Sequence, residues 1–161
     1  MERRRKTPRS REIEAWENRD MAKTIIMDKD FDGWNMEKKR VHATTIARDF
    51  FFHEREIWWC AIGANIGVEA DGKHQTFERP VIIARVFNKE MLWTVPVTSG
   101  TKKSSFHYNF MFNNTEQSAM LSQIRTMSSK RLRRKIGTVS DLDFESIITG
   151  LTGLLKNETP R

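Results

Sequence analysis

Glu78–Gly100, ERPVIIARVFNKEMLWTVPVTSG, is the stretch whose reading decides the fold. Two apolar runs, Val81–Phe87 and Leu92–Val97, flank Asn88-Lys89-Glu90-Met91. Each run is rich in Val, Ile, Phe and Trp and has strand length, so the expectation is a β-hairpin. Polar groups stand just outside the apolar part at both ends: Arg79 enters the first strand, and Thr98-Ser99 leave the second. In an antiparallel pair the start of one strand lies beside the end of the other. The hairpin should therefore gather a guanidinium and two hydroxyls on one rim, a set suited to a phosphate.

Working outward, Glu56–Ile62 (EIWWCAI) is apolar on both alternating faces and reads as a buried strand. Residues 63–78, with three glycines, read as a long loop. After the hairpin, Phe106, Tyr108, Phe110 and Phe112 alternate with His107, Asn109 and Met111, the period of a half-buried strand. Asn113-Asn114 is a turn signal, Ser118–Ile124 is expected as a fifth strand, and Ser128–Lys135 as a short basic helix or turn. Ser140-Asp141-Leu142-Asp143 has the form of an N-cap with an acidic first turn. Phe144, Ile147, Ile148, Leu151 and Leu155 then keep the spacing of an amphipathic helix. Upstream, residues 1–10 are expected to be disordered and Ser10–Asp30 to be helical, with a second helix around Phe31, Trp34 and Val41. A change from helical to extended pattern at Phe50–His53 suggests an extension over 1–52 and a domain over 53–157. The expected fold is mainly β (α+β): about five short strands in a small curled sheet or barrel, a closing helix, and an N-terminal helical extension.

The chain has 161 residues, 38% hydrophobic and 30% charged, with a mean hydropathy of −0.62, enough for one modest core. No stretch approaches the roughly 20 apolar residues of a membrane helix, and no apolar signal core follows the charged N-terminus. The single cysteine, Cys60, lies in an apolar run and reads as a small buried residue. A chain without an internal disulfide suits a reducing cytoplasm. Lys+Arg 28 against Asp+Glu 21 gives a net charge of +7, which favours a polyanionic partner, nucleic acid or an acidic protein. Much of the excess is local, in Arg3-Arg4-Arg5-Lys6 and in Lys130-Arg131-Leu132-Arg133-Arg134-Lys135. The second run lies inside the patterned chain and is the better candidate for a binding surface.

These blocks carry a family resemblance. From Arg55 to Leu155 the chain resembles the PemK/MazF family, the toxin halves of bacterial toxin–antitoxin pairs. REIWW at 55–59 is similar to the family's opening strand, and Gly67–Glu69 followed by Arg79–Val81 to its loop and second strand. Pro96–Ser99 (PVTS) resembles the end of its third strand, and Leu121–Thr126 (LSQIRT) its Gln–Arg block. RLRRKIGTVS at 131–140 resembles the basic turn before its last helix. The resemblance implies an SH3-like barrel with a C-terminal helix, a symmetric homodimer, and a cofactor-free, metal-independent endoribonuclease acting on single-stranded RNA. It also implies a cognate antitoxin. In such a reaction the 2′-hydroxyl attacks its own phosphate, leaving a 2′,3′-cyclic phosphate and a 5′-hydroxyl.

Internal attack needs a proton acceptor, positive charge on the phosphorane oxygens and a proton donor for the leaving oxygen. Arg79 matches the family's active-site arginine, and Thr98 and Ser99 its hydroxyl pair. Their structural readings are a strand-end ion pair and turn-capping hydroxyls. Glu69 matches the loop carboxylate and is the first choice for the base, although a solvated loop Glu reads the same way. His74, Lys102, Lys103, Arg131, Arg133 and Arg134 are candidate RNA contacts, the arginines doubling as a dock for an acidic antitoxin. Gln123 and Arg125 are retained from the family block, with Arg125 read as bracing the sheet or dimer interface. Trp58, Trp59 and Trp93 read as core or interface before base-stacking. The Arg-x-Asp pair of some family members is replaced by Met120 and Ser122, which leaves the base open. That departure keeps a second reading alive: a non-catalytic RNA-binding or regulatory protein on the same barrel. The four His are scattered and no metal set is evident.

Overall fold

Strands β2 (Glu78–Val86) and β3 (Met91–Ser99) pair antiparallel with Val81 opposite Pro96 and Val86 opposite Leu92, the hairpin expected from the sequence. Its turn is closed by Asn88, whose side-chain oxygen accepts from the amides of Glu90 (2.8 Å) and Met91 (2.9 Å). An Asn that satisfies the backbone two residues ahead is a standard turn former. The computed structural model describes residues 29–156; the predicted disorder over 1–10 and helix over Ser10–Asp30 lie outside the described residues. The chain divides into units Met1–Phe31 and Asp32–Arg161.

The second unit is built on one antiparallel sheet. Its other strands are β1 (Glu56–Ala61), β4 (His107–Phe112), β5 (Thr115–Met120), β6 (Arg125–Ser128) and β7 (Leu132–Thr138). The order is β4-β5-β3-β2-β1-β7, and β6 pairs with the first half of β3 while β5 pairs with its end. The alternation in β2 sorts cleanly: Ile82 and Ala84 join one core with Ile57, Val95 and Phe110, while Val81 and Ile83 join another with Trp58, Cys60 and Leu92. Both faces are covered, which is why the hairpin strands read as continuous apolar runs. The first core is closed by helix α2 (Asp141–Leu155) through Ile147 and Leu151. Its N-cap is Ser140, whose hydroxyl accepts from the Asp143 amide, as the Ser-x-x-Asp pattern requires. The second core lies on the opposite face of the curled sheet.

Three expectations are corrected, the second of them in part. The fifth strand runs over Thr115–Met120 rather than Ser118–Ile124, and Leu121–Gln123 is a single 3₁₀ turn. Asn113 and Asn114 both have positive φ (49° and 58°), the left-handed pair of a two-residue hairpin turn. Pairing therefore restarts at once, with Phe112 opposite Thr115. Of the basic stretch 128–135, expected as a short helix or turn, Ser129–Arg131 form a 3₁₀ turn and the rest enters β7. β7 has β1 as its one neighbour on the sheet path, and Lys and Arg are usual guards of such an edge. The sheet thus has seven strands, not five.

Helix α1 (Phe31–Ala43) forms where a helix around Phe31, Trp34 and Val41 is expected, and buries Trp34 and Val41. These pack with Ala61 and Phe77 in a third small core. The indole lies over Gly63, where a Cβ would come within 2.2 Å of Trp34, and Gly63 also holds φ +94°. Only glycine meets both conditions without strain. α1 is therefore seated against both ends of the long loop, at Gly63 and at Phe77.

Candidate functional site

The rim at the open end of the hairpin assembles as the strand geometry requires. The β2–β3 pairing ends at Val81↔Pro96, and two residues beyond it on either strand stand Arg79 and Thr98. The Arg79 guanidinium bridges the rim: Nε donates to the Asp71 carbonyl at 2.5 Å and Nη1 to the Val97 carbonyl at 3.3 Å. Two of its five N–H groups are thus spent on main chain, in fixed positions, and no hydrogen bond among the described residues uses the other three. Burial pushes the Arg79 pKa down from its ordinary value, the Asp71 carboxylate opposes that, and the Arg125 charge adds to it. An arginine remains cationic through such a shift. Thr98 is half-buried and Ser99 exposed. Arg125 lies on β6 opposite Thr94, half-buried beside the same site.

The loop from Gly63 to Phe77 is folded on itself. Asn65 takes the Asp71 carboxylate on its amide (2.6 Å) and donates its side chain to the Ala70 carbonyl (2.8 Å). Gln123 spans to the loop from the 3₁₀ turn: its Oε1 accepts from the Ala70 amide (3.0 Å) and its Nε2 donates to the Val68 carbonyl (3.3 Å). Gln123 is therefore a strut for the catalytic-loop candidate. Glu69 is exposed, and its carboxylate accepts from the Ile66 amide (3.2 Å), closing its own turn. His74 is exposed at positive φ (58°). Neither is drawn to the Arg79–Thr98 rim by a hydrogen bond among the described residues.

The basic run has other work. Lys130 Nζ donates to the His42 carbonyl (2.8 Å) at the end of α1. Arg131 donates to the Ala61 carbonyl (2.9 Å) and lies 5.3 Å from the Trp34 ring centre; burial pushes its pKa down. Arg133 pairs with Glu37 of α1. Arg134 pairs with Glu78 at 2.9 Å and stacks 4.9 Å from the Trp59 ring centre. Lys135 reaches Glu56 at 2.7 Å. Arg131 and Arg133 thus help seat α1, and Arg133 and Arg134 pair with the carboxylates of Glu37 and Glu78, while the Arg134 side chain stays 61% exposed. Lys102 and Lys103, by contrast, are exposed just past Ser99 and make no ion pair among the described residues.

Of the tryptophans, Trp58 is core, donating to Glu56 (2.8 Å). Trp93 is 43% exposed and stacks edge-on against Phe87. Sequence reasoning missed Asp71, whose carbonyl anchors Arg79, because a main-chain acceptor leaves no mark on residue type. It also missed Asn109 and Ser118. Ser118 stands opposite both Thr98 and Asn109, and the Asn109 side chain holds the chain leaving β3. Among the described residues no group of three or more His, Cys, Asp or Glu could hold a metal ion.

A mainly β domain with a seven-stranded antiparallel sheet and a closing helix is the class that the fold defines. Residues 53–155 match the model of the PemK-like, MazF-like toxins of type II toxin–antitoxin systems, and the chain belongs to that family. Its fold is similar to that of MazF from Deinococcus radiodurans, with a TM-score of 0.53 at 16% identity, covering 67% of this chain and 99% of that one. It is similar also to an endoribonuclease from Mycobacterial species solved with its cognate antitoxin, with a TM-score of 0.52 at 14% identity, covering 66% and 97%. At such identities the likeness is one of fold. No curated protein matches the chain. Helix α1 precedes the family match.

Proposed function

We propose that this protein is a metal-independent endoribonuclease toxin that cuts single-stranded RNA at short sequences in the cytoplasm and is neutralised by a cognate antitoxin. The observation that carries the reading is the Arg79 fork, locked by the Asp71 and Val97 carbonyls, the second of them next in sequence to Thr98. In the proposed reaction the ribose 2′-oxygen bonds to the adjacent phosphorus and the bond from phosphorus to the 5′-oxygen breaks. The remaining Arg79 donors neutralise the phosphorane oxygens, where preorganised charge is most effective. The Thr98 and Ser99 hydroxyls hydrogen-bond the same group and supply the route of a proton to the leaving 5′-oxygen. The Glu69 carboxylate takes the 2′-hydroxyl proton, which requires it to leave the Ile66 amide as substrate enters. Lys102 and Lys103 hold the flanking RNA backbone. The exposed Phe87 and Trp93 are the apolar surface offered to a second copy in a homodimer.

The test is cleavage of a mixed-sequence RNA by the purified full chain in EDTA. Products ending in 2′,3′-cyclic phosphate and 5′-hydroxyl are expected, and Arg79→Ala should abolish them while the protein stays folded. A second reading has one observation in its favour: the carboxylate nearest in sequence to the role of base is engaged with its own loop. On that reading the barrel binds RNA without cutting it. Intact RNA with wild-type protein, together with retained binding by Arg79→Ala, would establish it in place of the nuclease.

A further inference from the structure

Directly after Thr98 and Ser99 the chain turns at Gly100, which holds φ +77°, a conformation that favours glycine. The turn is held by side chains from two other strands. Ser118, fully buried on β5, has its hydroxyl 2.8 Å from the Gly100 carbonyl and within hydrogen-bond distance of Asn109 Oδ1. Asn109 on β4 closes on the backbone of Lys102 from both sides: Oδ1 accepts its N–H and Nδ2 donates to its carbonyl, each at 3.0 Å. The Gly100 amide donates to the Glu116 carbonyl (2.9 Å), and the Thr101 hydroxyl to the Glu116 carboxylate (2.6 Å). This carboxamide does for a loop what a neighbouring strand does for a strand, since it meets one donor and one acceptor of the same residue. A loop residue bonded only to water would cost nothing to release; this one gives up two hydrogen bonds.

The cross-strand register makes the arrangement pertinent to the rim. Thr98, Ser118 and Asn109 stand side by side on three adjacent strands, about 5 Å apart at each step. One end of the network adjoins Thr98 through its pairing with Ser118, and the other holds the backbone of Lys102, next to Lys103. We propose that Asn109, acting with Ser118, is a positioning residue that locks the Gly100–Lys103 turn. It thereby presents the Thr98–Ser99 hydroxyls and the Lys102–Lys103 ammonium groups to one stretch of RNA backbone. The inference rests on the nuclease reading for its substrate, but the lock is a property of the free protein.

The experiment uses the full chain as wild type, Asn109→Ala and Asn109→Asp, with two readouts. In free protein, amide exchange at Lys102 should quicken at least about tenfold in Asn109→Ala, while the urea midpoint changes little. With RNA, kcat should fall by roughly 10²-fold, the effect of a misplacement of about 1 Å. The salt slope for binding an uncleavable 2′-deoxy oligonucleotide should flatten by about 0.7 for each phosphate that the displaced lysines no longer neutralise. Asn109→Asp keeps the acceptor for the Lys102 amide and loses the donor to its carbonyl. It should fall between the other two in exchange rate and kcat, and it carries the test if Asn109→Ala fails to fold. Unchanged Lys102 exchange, or a normal kcat and salt slope with exchange quickened, would overturn the proposal. If wild-type protein cuts no RNA, the nuclease reading fails separately, and Lys102 exchange alone decides whether the lock exists.

Discussion

Arg79→Lys separates the shape of the guanidinium from its charge. In the structure one arm of Arg79 is tied to the Asp71 carbonyl and another to the Val97 carbonyl, so the remaining donors are aimed by the fork itself. Lysine keeps the positive charge but has three donors on one rotating nitrogen, and cannot hold both carbonyls and also face a phosphate in a plane. Two effects follow. Losing two hydrogen bonds from a half-buried cation should cost about 1–3 kcal/mol of stability, readable as a lower urea midpoint. Losing an aimed donor at the developing phosphorane should cost about 10²–10³ in kcat, by analogy with removal of one oxyanion-hole donor. The assay is single-turnover cleavage of an RNA oligonucleotide well below the denaturation midpoint, so that the two losses are measured apart. A lysine variant that cuts at the wild-type rate would refute the argument, because charge alone would then suffice. A rate loss that vanished when folding was restored by stabilising co-solvent would refute it as well.

Trp34→Ala removes the indole that fills the space over Gly63 and stacks with Phe77 and Arg131; it should cost about 3–5 kcal/mol in urea unfolding and quicken amide exchange in the 63–77 loop, and exchange confined to α1 would contradict the seating described. Cys60, fully buried with its thiol pKa pushed up to about 12 chiefly by burial, should resist iodoacetamide in the native protein and react only at the rate of unfolding. Burial acts to raise the Glu56 pKa, but hydrogen bonds from Lys135, the His53 amide and Trp58 outweigh it and hold the carboxyl below its ordinary 4.5. Its contribution to stability is therefore complete above that value and lost as pH falls through the lowered folded pKa. Glu56→Gln should show a smaller drop in urea midpoint between about pH 5 and pH 3 than wild type, and parallel curves would dismiss the pair.

The parts of this protein legible in the sequence are those set by near neighbours. The hairpin was readable because its alternation and the Asn88 turn lie within one short stretch. The C-terminal helix was readable because Ser140 caps an amide three residues on. The placing of Arg79 beside Thr98 follows from antiparallel pairing alone. Pairing type is a local consequence of a short turn, so this much of the candidate site came with the hairpin.

The uses of the charged residues were decided elsewhere in the chain. Lys130–Lys135 has the same composition whether it faces RNA or its own carboxylates. Its partners within the protein, Glu56, Glu37 and Glu78, approach only when β1, α1 and β2 pack around β7. Gln123 is one polar residue in a family block until the fold carries it 53 positions back to the loop at Ala70. Asn109 looks like the polar face of an alternating strand, and its hold on Lys102 exists because Gly100 turns the chain back over β4. Sequence by itself determined the β2–β3 hairpin, the alternating strand β4 and the closing helix, since side-chain period and turn chemistry are local, but not β6 or β7. Tertiary structure decided which of the polar side chains are engaged within the protein, because a charge is neutralised by whatever the fold brings within a few ångströms of it.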